Sequence, residues 1–381
     1  MKNHRSSGKH LGPVLLVAVL ALFFCASFAS GQTLQDLPPP PPPPKPKPTP
    51  TPKPPPAPKD EDFEVIRTTS NLIMVPVSVV DAKGEAVLGL PVSNFRLEEQ
   101  GREQQITELG NPDQVPLDIV LLFDISSSVS QKGFFAFQQK AAASFLRQIM
   151  KPSDRAAVFT IGAEPLLVSP FAPAEVAAAK LQTIPAATSP VPTAFYDTVA
   201  AAAKYLVEQS AERHRRVIVV ISDGDDNFSN SVREMTIAEV RAGQRGDSTP
   251  AAAKRGFDAR RERAVLDVQK AVQQADAAFY SVNPGGKSVH LNLISTRSQN
   301  AMRSIAESTG GTAFIPDSEM DLERVFSEVA AELRGQYLLQ YYSNSQTPTG
   351  QFRSIKVAVP THPEFRVRAR QGYYPRQNRE R

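Results

Sequence analysis

Cysteine is almost missing from this chain of 381 residues. The only one, Cys25, lies inside an apolar N-terminal run, so the rest of the chain offers no disulfide, no zinc-thiolate centre and no thiol nucleophile. Histidine is scarce as well. Of the five, His4 and His10 precede that apolar run, and His214 sits in the triplet Arg213-His214-Arg215, expected to face solvent at a strand entrance. A serine hydrolase needs a Gly-x-Ser-x-Gly elbow and a base, and no such elbow surrounds Ser126 or Ser128. An aspartyl phosphatase would want a second carboxylate at position 126, where there is serine. The expectation is that the chain is not an enzyme, a metal-dependent hydrolase being the weakest of the readings considered. A strong charge of one sign is also lacking. With 43 Lys and Arg against 39 Asp and Glu the net charge is +4, dispersed along the chain, which argues against a nucleic-acid partner.

Proline is abundant, at 34 residues, but it crowds before residue 60 and describes a tail rather than the fold. Residues 1–10 are basic and polar, residues 14–28 mostly apolar, and Ser27, Ala29 and Ser30 are small. That order reads as a secretory signal peptide over residues 1–30, cut after Ala29. An uncleaved membrane anchor is the alternative, because counting from Leu11 brings the run close to the roughly 20 residues a span needs. A lipidated Cys25 is a third reading, opposed by the bulk of Phe24 before it. Residues 31–62 read as a disordered spacer. Its stretch 38–59 is almost entirely Pro, Lys and Thr, which favours extended polyproline II and, at ~3.1 Å per residue, a reach on the order of 70 Å. The tract looks like the Pro-Lys spacers of periplasm-spanning envelope proteins. An exported location follows, periplasmic, cell-envelope or extracellular.

The centre of the chain is the run from Leu117 to Ser130. Ile119 to Phe123 is continuously apolar, as in a strand buried on both faces of a parallel sheet. It breaks into Asp124, Ser126 and Ser128 at alternate positions, and open α/β sheets bind their ligands outside the carboxyl ends of the strands. All three are hard oxygen donors, which suit Mg²⁺ or Mn²⁺ better than Zn²⁺. A second strand ending in Ser222 runs into Asp223-Gly224 and repeats the design, so two strand tips can converge on one ion. Between them Thr193 opens a helical pattern and supplies another hydroxyl.

Asp-x-Ser-x-Ser, a later Thr in Thr193-Ala194-Phe195-Tyr196-Asp197 and a later Ser222-Asp223-Gly224 after a hydrophobic strand resemble the metal-ion-dependent adhesion site of von Willebrand factor A-like domains. The resemblance covers residues 115–334. It implies Asp124, Ser126, Ser128, Thr193 and Asp223 as ligands, directly or through water, of Mg²⁺, with Mn²⁺ and Ca²⁺ as alternatives. It implies a protein partner presenting an Asp or Glu carboxylate to the metal, in an adhesion or protein-binding module. A cell-envelope scaffold whose metal is only structural is the alternative. Asp225, Asp226 and Asn227 are expected to form a solvated turn beside the site. The arrangement as a whole, with residues 71–109 before the domain, Gln336 to Tyr342 after it and Arg368-Ala369-Arg370-Gln371-Gly372-Tyr373-Tyr374 near the end, is similar to a secreted acidobacterial group of such proteins.

The flanks alternate at period two. Ile73, Val75, Val77 and Val79 share one face, Asp81 to Gly84 and Gln100-Gly101 make turns, and Ile355, Val357 and Val359 then Phe365, Val367 and Ala369 repeat the pattern. Neither flank alone holds enough strands for a stable sheet. The expected fold class is therefore α/β, a doubly wound, mostly parallel sheet flanked by helices (115–334), with a smaller antiparallel β-sandwich built from the N- and C-terminal flanks (63–114 and 335–375) and a disordered tail at 376–381. Within the α/β part, residues 243–257 are expected to be a mobile excursion before a helix at 264–275. Arg255, Arg260, Arg261 and Arg263 are read as a solvated basic helix start.

Overall fold

The computed structural model describes residues 72–126, 135–235, 237–246, 249–285, 293–345, 348 and 350–375. The signal-peptide, spacer and tail readings, and Ser128, lie outside the described residues.

A six-stranded sheet carries the centre of the molecule. Its strands are β5 (Leu117–Asp124), β6 (Arg155–Ile161), β7 (Leu166–Ala172), β8 (Arg215–Ile221), β9 (Ala277–Val282) and β10 (Ala313–Phe314), in the spatial order β10-β9-β8-β5-β6-β7. All pairings are parallel except β6 with β7. Sequence reading had no place for β7, whose Ser169-Pro170 pair and partial exposure carry little strand signal, and it forms an antiparallel edge. Every position of β5 is buried, which is why its sequence runs apolar without alternation. The exceptions are Asp124 at its carboxyl end and Asp118, which is held by a fork from Arg155 at 2.9 and 2.7 Å and by Ser210 Oγ at 2.6 Å. His214 Nδ1 lies 3.2 Å from the same carboxylate, so this histidine faces Asp118 and not open solvent as expected.

Helices cover both faces. On one lie α1 (Phe135–Ile149), α2 (Ala174–Gln182) and α8 (Leu322–Arg334), packed on Leu117, Ile119, Leu121 and Phe123. Phe145 and Phe326 stack between α1 and α8 with ring centres 5.2 Å apart. On the other lie α3 (Phe195–Gln209), α6 (Pro250–Gln274) and α7 (Leu293–Thr309), packed on Val120 and Leu122. Each fully buried Leu, Ile, Val or Phe contributes roughly 1.5–3 kcal/mol, so these two cores hold the sheet edge-on between helices.

The expected mobile excursion is instead helical. α4 (Asn230–Arg233) and α5 (Ile237–Gln244) precede α6, which runs unbroken for 25 residues. The Ala run 251–253 and Pro250 at the first helical position start it, and Thr249 Oγ1 caps it by accepting from Ala252 N at 3.1 Å. Of the Gly, Ser, Thr and Pro cluster, Gly243 lies in α5, and Thr249 and Pro250 are the entrance of α6.

The flanks build two antiparallel four-stranded sheets. The first has the order β13-β1-β11-β4, with β1 (Leu72–Val80), β4 (Ile106–Gly110), β11 (Tyr337–Tyr342) and β13 (Arg366–Ala369). The second has the order β14-β12-β2-β3, with β2 (Arg96–Glu99), β3 (Arg102–Gln104), β12 (Arg353–Ala358) and β14 (Gly372–Tyr373). Both mix strands from before and after the α/β region. Val75, Val77, Val79, Phe95, Leu97, Leu339, Tyr341 and Ile355 are buried between them. The β2–β3 turn is made by Gln100 at φ 52° and Gly101 at φ 73°, the left-handed pair that a tight hairpin needs.

The β13–β14 corner meets the α/β part directly. Arg368 Nη2 donates to Glu332 of α8 at 2.9 Å, Gln371 N donates to Ser308 O at 3.0 Å, and Arg370 pairs with Asp276 and donates to Met74 O at 2.9 Å. Two of the arginines that alternate with the apolar residues of this strand thus face a neighbour rather than water. No helix among the described residues is long and apolar enough to cross a membrane.

Candidate metal centre

The chain leaves β5 toward β6 on one side and returns later to β8 on the other, so the carboxyl ends of β5 and β8 flank the point where strand order reverses. Open α/β sheets bind their ligands at such a reversal. The register pairs Phe123 with Ile221, which puts Asp124 and Ser222 side by side and Asp223 one residue beyond.

Asp124 is fully buried. Its Oδ1 accepts from Ser126 N at 2.7 Å, an Asx-type turn that aims the chain out of the strand, and its Oδ2 accepts from Ser222 Oγ. Ser222 Oγ in turn accepts from Gly224 N at 2.9 Å, so one hydroxyl fixes both strand tips. Sequence reading passed over Ser222. The signal for it was the parallel register itself, which sets a hydroxyl opposite Asp124. Ser126 is buried beside the carboxylate. Burial, and then the charge of Asp223, push the Asp124 carboxyl up to about 7. Asp223 is partly exposed, and its Oδ1 accepts from Asp225 N at 3.2 Å.

Thr193 is brought in by the next loop. Its N donates to Asn227 Oδ1 at 2.9 Å, and its carbonyl accepts from Asn227 N at 3.1 Å and Phe228 N at 3.0 Å. Ala194 N reaches Gly162 O at 2.7 Å, tying the same loop to the end of β6. Thr193 therefore sits two residues before α3 on a loop stitched to the Asp223 loop, with its residue buried.

In the expected solvated turn at 225–227, Asn227 is exposed and Asp225 half-buried, but Asp226 is interior. Asp226 is buried: its Oδ2 accepts from Tyr196 N at 2.8 Å and Ser229 Oγ at 2.6 Å, its Oδ1 from Ser229 N at 3.0 Å and Phe228 N at 3.2 Å. Burial raises its carboxyl above the usual range, against those hydrogen bonds. It serves as a remote cap on the N-terminus of α3, where a carboxylate is favoured. Ser229 Oγ takes the next amide, Asp197 N, at 3.0 Å. Arg261 of α6 donates to Asp225 Oδ1 at 3.1 Å and to the Asp226 carbonyl, so this arginine braces the loop instead of fronting solvent.

The donor set fits a hard divalent cation. Two carboxylates lie close enough for one to raise the other, and among the described residues no lysine or arginine pairs with Asp124 or Asp223. A doubly charged ion supplies the compensation such a pair lacks. Among the described residues no group of three or more His, Cys, Asp and Glu side chains is placed to hold a metal, so a site here depends on hydroxyls as well as carboxylates.

Several solved structures are similar to this one. A von Willebrand factor type A protein from Catenulispora acidiphila matches with 14% identity and a TM-score of 0.42, over 71% of this chain and 52% of its own. The vWF domain of the type V pili tip protein Mfa5 from Porphyromonas gingivalis matches with 13% identity and a TM-score of 0.42, over 57% of this chain and 94% of its own. Proximal thread matrix protein 1 from the mussel byssus, with a zinc-occupied MIDAS motif, matches with 14% identity and a TM-score of 0.39, over 61% of this chain and 48% of its own. The chain thus spans about half the length of the first and third of these. No curated protein sequence matches it. The family model described as the von Willebrand factor type A domain matches residues 118–328, more than half of the chain, and the chain belongs to that family.

Proposed function

We propose that this chain is an exported, metal-dependent protein-binding module, in which Asp124, Ser126, Ser128, Thr193 and Asp223 hold Mg²⁺ and the ion takes an Asp or Glu carboxylate from a partner protein. The observation that carries the reading is the pair Asp124 and Asp223 at neighbouring strand tips, the first pushed up in pKa by its burial and then by the charge of the second, with no basic side chain on either among the described residues. Mg²⁺ favours octahedral oxygen coordination and keeps open positions where the protein supplies few charges. Mn²⁺ and Ca²⁺ accept the same donors.

The protein's own contribution is to hold those donors still. Ser126 N and Ser222 Oγ fix the Asp124 carboxylate, and the stitched loops fix Thr193 against the Asp223 loop. The reading includes export by the signal peptide at 1–30 and a spacer at 31–62 that carries the folded part away from a surface. Family membership supports a binding role over catalysis, and His214 supports it too, since it pairs with Asp118 at the opposite end of β5 from Asp124.

Calorimetric titration of Mg²⁺ and Mn²⁺ into the chain, beside Asp223→Ala, tests the site. Saturable heat in the wild type and none in the variant is the expected result, followed by capture of envelope proteins that chelation reverses. An ion bound equally by both proteins would remove Asp223 from the site. A wild type that binds no ion would favour the scaffold reading.

A further inference from the structure

The helices between β8 and β9 exceed what a crossover requires, and they are fastened to the candidate metal loop on one side only. Arg233, at the end of α4, lies over the Phe228 ring at 4.4 Å, and Phe228 N donates to Thr193 O at 3.0 Å. Arg261 of α6 braces Asp225 and Asp226. α5 is locked to α6 by the ion pair of Glu239 with Arg260, over Gly256, where any Cβ would meet the Glu239 carboxylate. The inner side of this unit is thus pinned to the site.

Its outer side is left apolar and positive. Met235 is 59% exposed, Ile237 71% and Val240 44%, three large apolar side chains within six residues, and Ile237, Val240 and Arg241 follow the i, i+3, i+4 spacing of one helix face. Single exposed apolar residues are ordinary, but a cluster of this kind beside a binding loop marks an interaction surface. Arg241, Lys254, Arg255 and Arg263 are exposed in the same segment, against Glu234 and Glu262. The exposed basic side chains of this segment outnumber its exposed acidic ones.

We propose that Met235, Ile237, Val240 and Arg241, backed by α6, form a docking platform for the same partner that the metal engages: a protein segment rich in Asp and Glu, with apolar side chains among them. The apolar centre takes the partner's aliphatic residues, the arginines take its further carboxylates, and the metal takes one. Arginine is enriched in binding hot spots, and its fork matches the geometry of a carboxylate. The platform rests on the metal-dependent reading for the carboxylate at the ion, and on its own surface for the rest.

A labelled peptide of alternating Glu and Leu, with a Lys and Leu peptide as control, tests this by fluorescence anisotropy on the full chain. Binding of the Glu peptide in Mg²⁺, weakened at least about tenfold by Ile237→Ser with Val240→Ser or by Arg241→Glu, is the expected outcome. Those side chains are exposed, so the fold and the Mg²⁺ titration should not change. Added NaCl should weaken binding through the arginine component. Full affinity in the platform variants with loss in Asp124→Ala would overturn the platform and leave the metal reading standing. Loss in the platform variants with binding that survives chelation would keep the platform and overturn the metal's part in it. Absence of Glu-peptide binding, equal binding of the Lys peptide, or Arg241-dependent binding of phosphatidylglycerol vesicles in its place would each overturn the proposal.

Discussion

Asp124 carries opposite demands at once. Buried beside Asp223, it favours its protonated form up to about pH 7, whereas a metal ion requires the carboxylate. An unfolded Asp titrates near 3.8, so the folded protein without metal binds this proton more tightly than the unfolded chain does. The contribution of this group to metal-free stability is therefore full below about pH 4 and lost as pH rises toward 7. On the proposed ligand set, Mg²⁺ affinity is expected to run the other way, rising across that window and levelling above it, because proton and ion compete for the same oxygens. The increase in melting temperature produced by Mg²⁺ should thus be small at pH 5 and larger at pH 8. An equal increase at both would take Asp124 out of the ligand set. Asp118, on the same strand, behaves differently. Burial opposes its charge, but hydrogen bonds from Arg155, Ser210 and His214 prevail and hold its carboxyl below the usual range. One strand therefore carries two buried carboxylates with opposite pH response, and only the one at the carboxyl end lacks a cation.

Among the elements, the α5–α6 pair shows how local and tertiary preferences trade. Gly256 lies inside α6, where Ala would favour the helix by about 1 kcal/mol. The added methyl would displace the Glu239 carboxylate and with it the contact to Arg260. Gly256→Ala is expected to leave global stability within about 1 kcal/mol while hydrogen exchange of the α5 amides speeds up several-fold. Unchanged exchange would mean that α5 is held by something other than this pair. The same element marks where the sequence was hard to read. β5 announced itself because two-sided burial leaves an unbroken apolar run, and the flank strands because one-sided burial leaves alternation. α6 has a polar outer surface and buries only Ala264, Val268, Val272 and Gln273 along its length, so its first half offers no apolar stripe to recognise. Asp124 and Asp223 were legible because strand ends and carboxylates are both visible in sequence. Ser222 and Asp226 were not, since what defines them is a register and a cap reached across thirty residues.

Across the whole molecule the sandwich and the α/β part meet where Gly310 lies. Its φ of 82° already disfavours any side chain, and a Cβ there would come within 2.6 Å of Arg370 N and 2.9 Å of Ala369 C, backbone atoms that cannot turn aside. Gly310→Ala is expected to cost at least about 2 kcal/mol, with chemical-shift changes concentrated at Ser308, Gln371 and Arg370. A variant as stable as the wild type would show that the corner is loose. The motif that runs from Arg368 to Tyr374 thus acquires a physical account, since Arg368, Arg370 and Gln371 all grip the α/β part. β1 lies between β11 and β13, antiparallel to both, so a strand that precedes the α/β part in the chain is walled by strands that come after it. A pull on the chain ahead of Leu72 would load those two hydrogen-bonded ladders in shear. The tension would then divide between the two connections that enter and leave the α/β part, so that neither alone bears a load applied to that part.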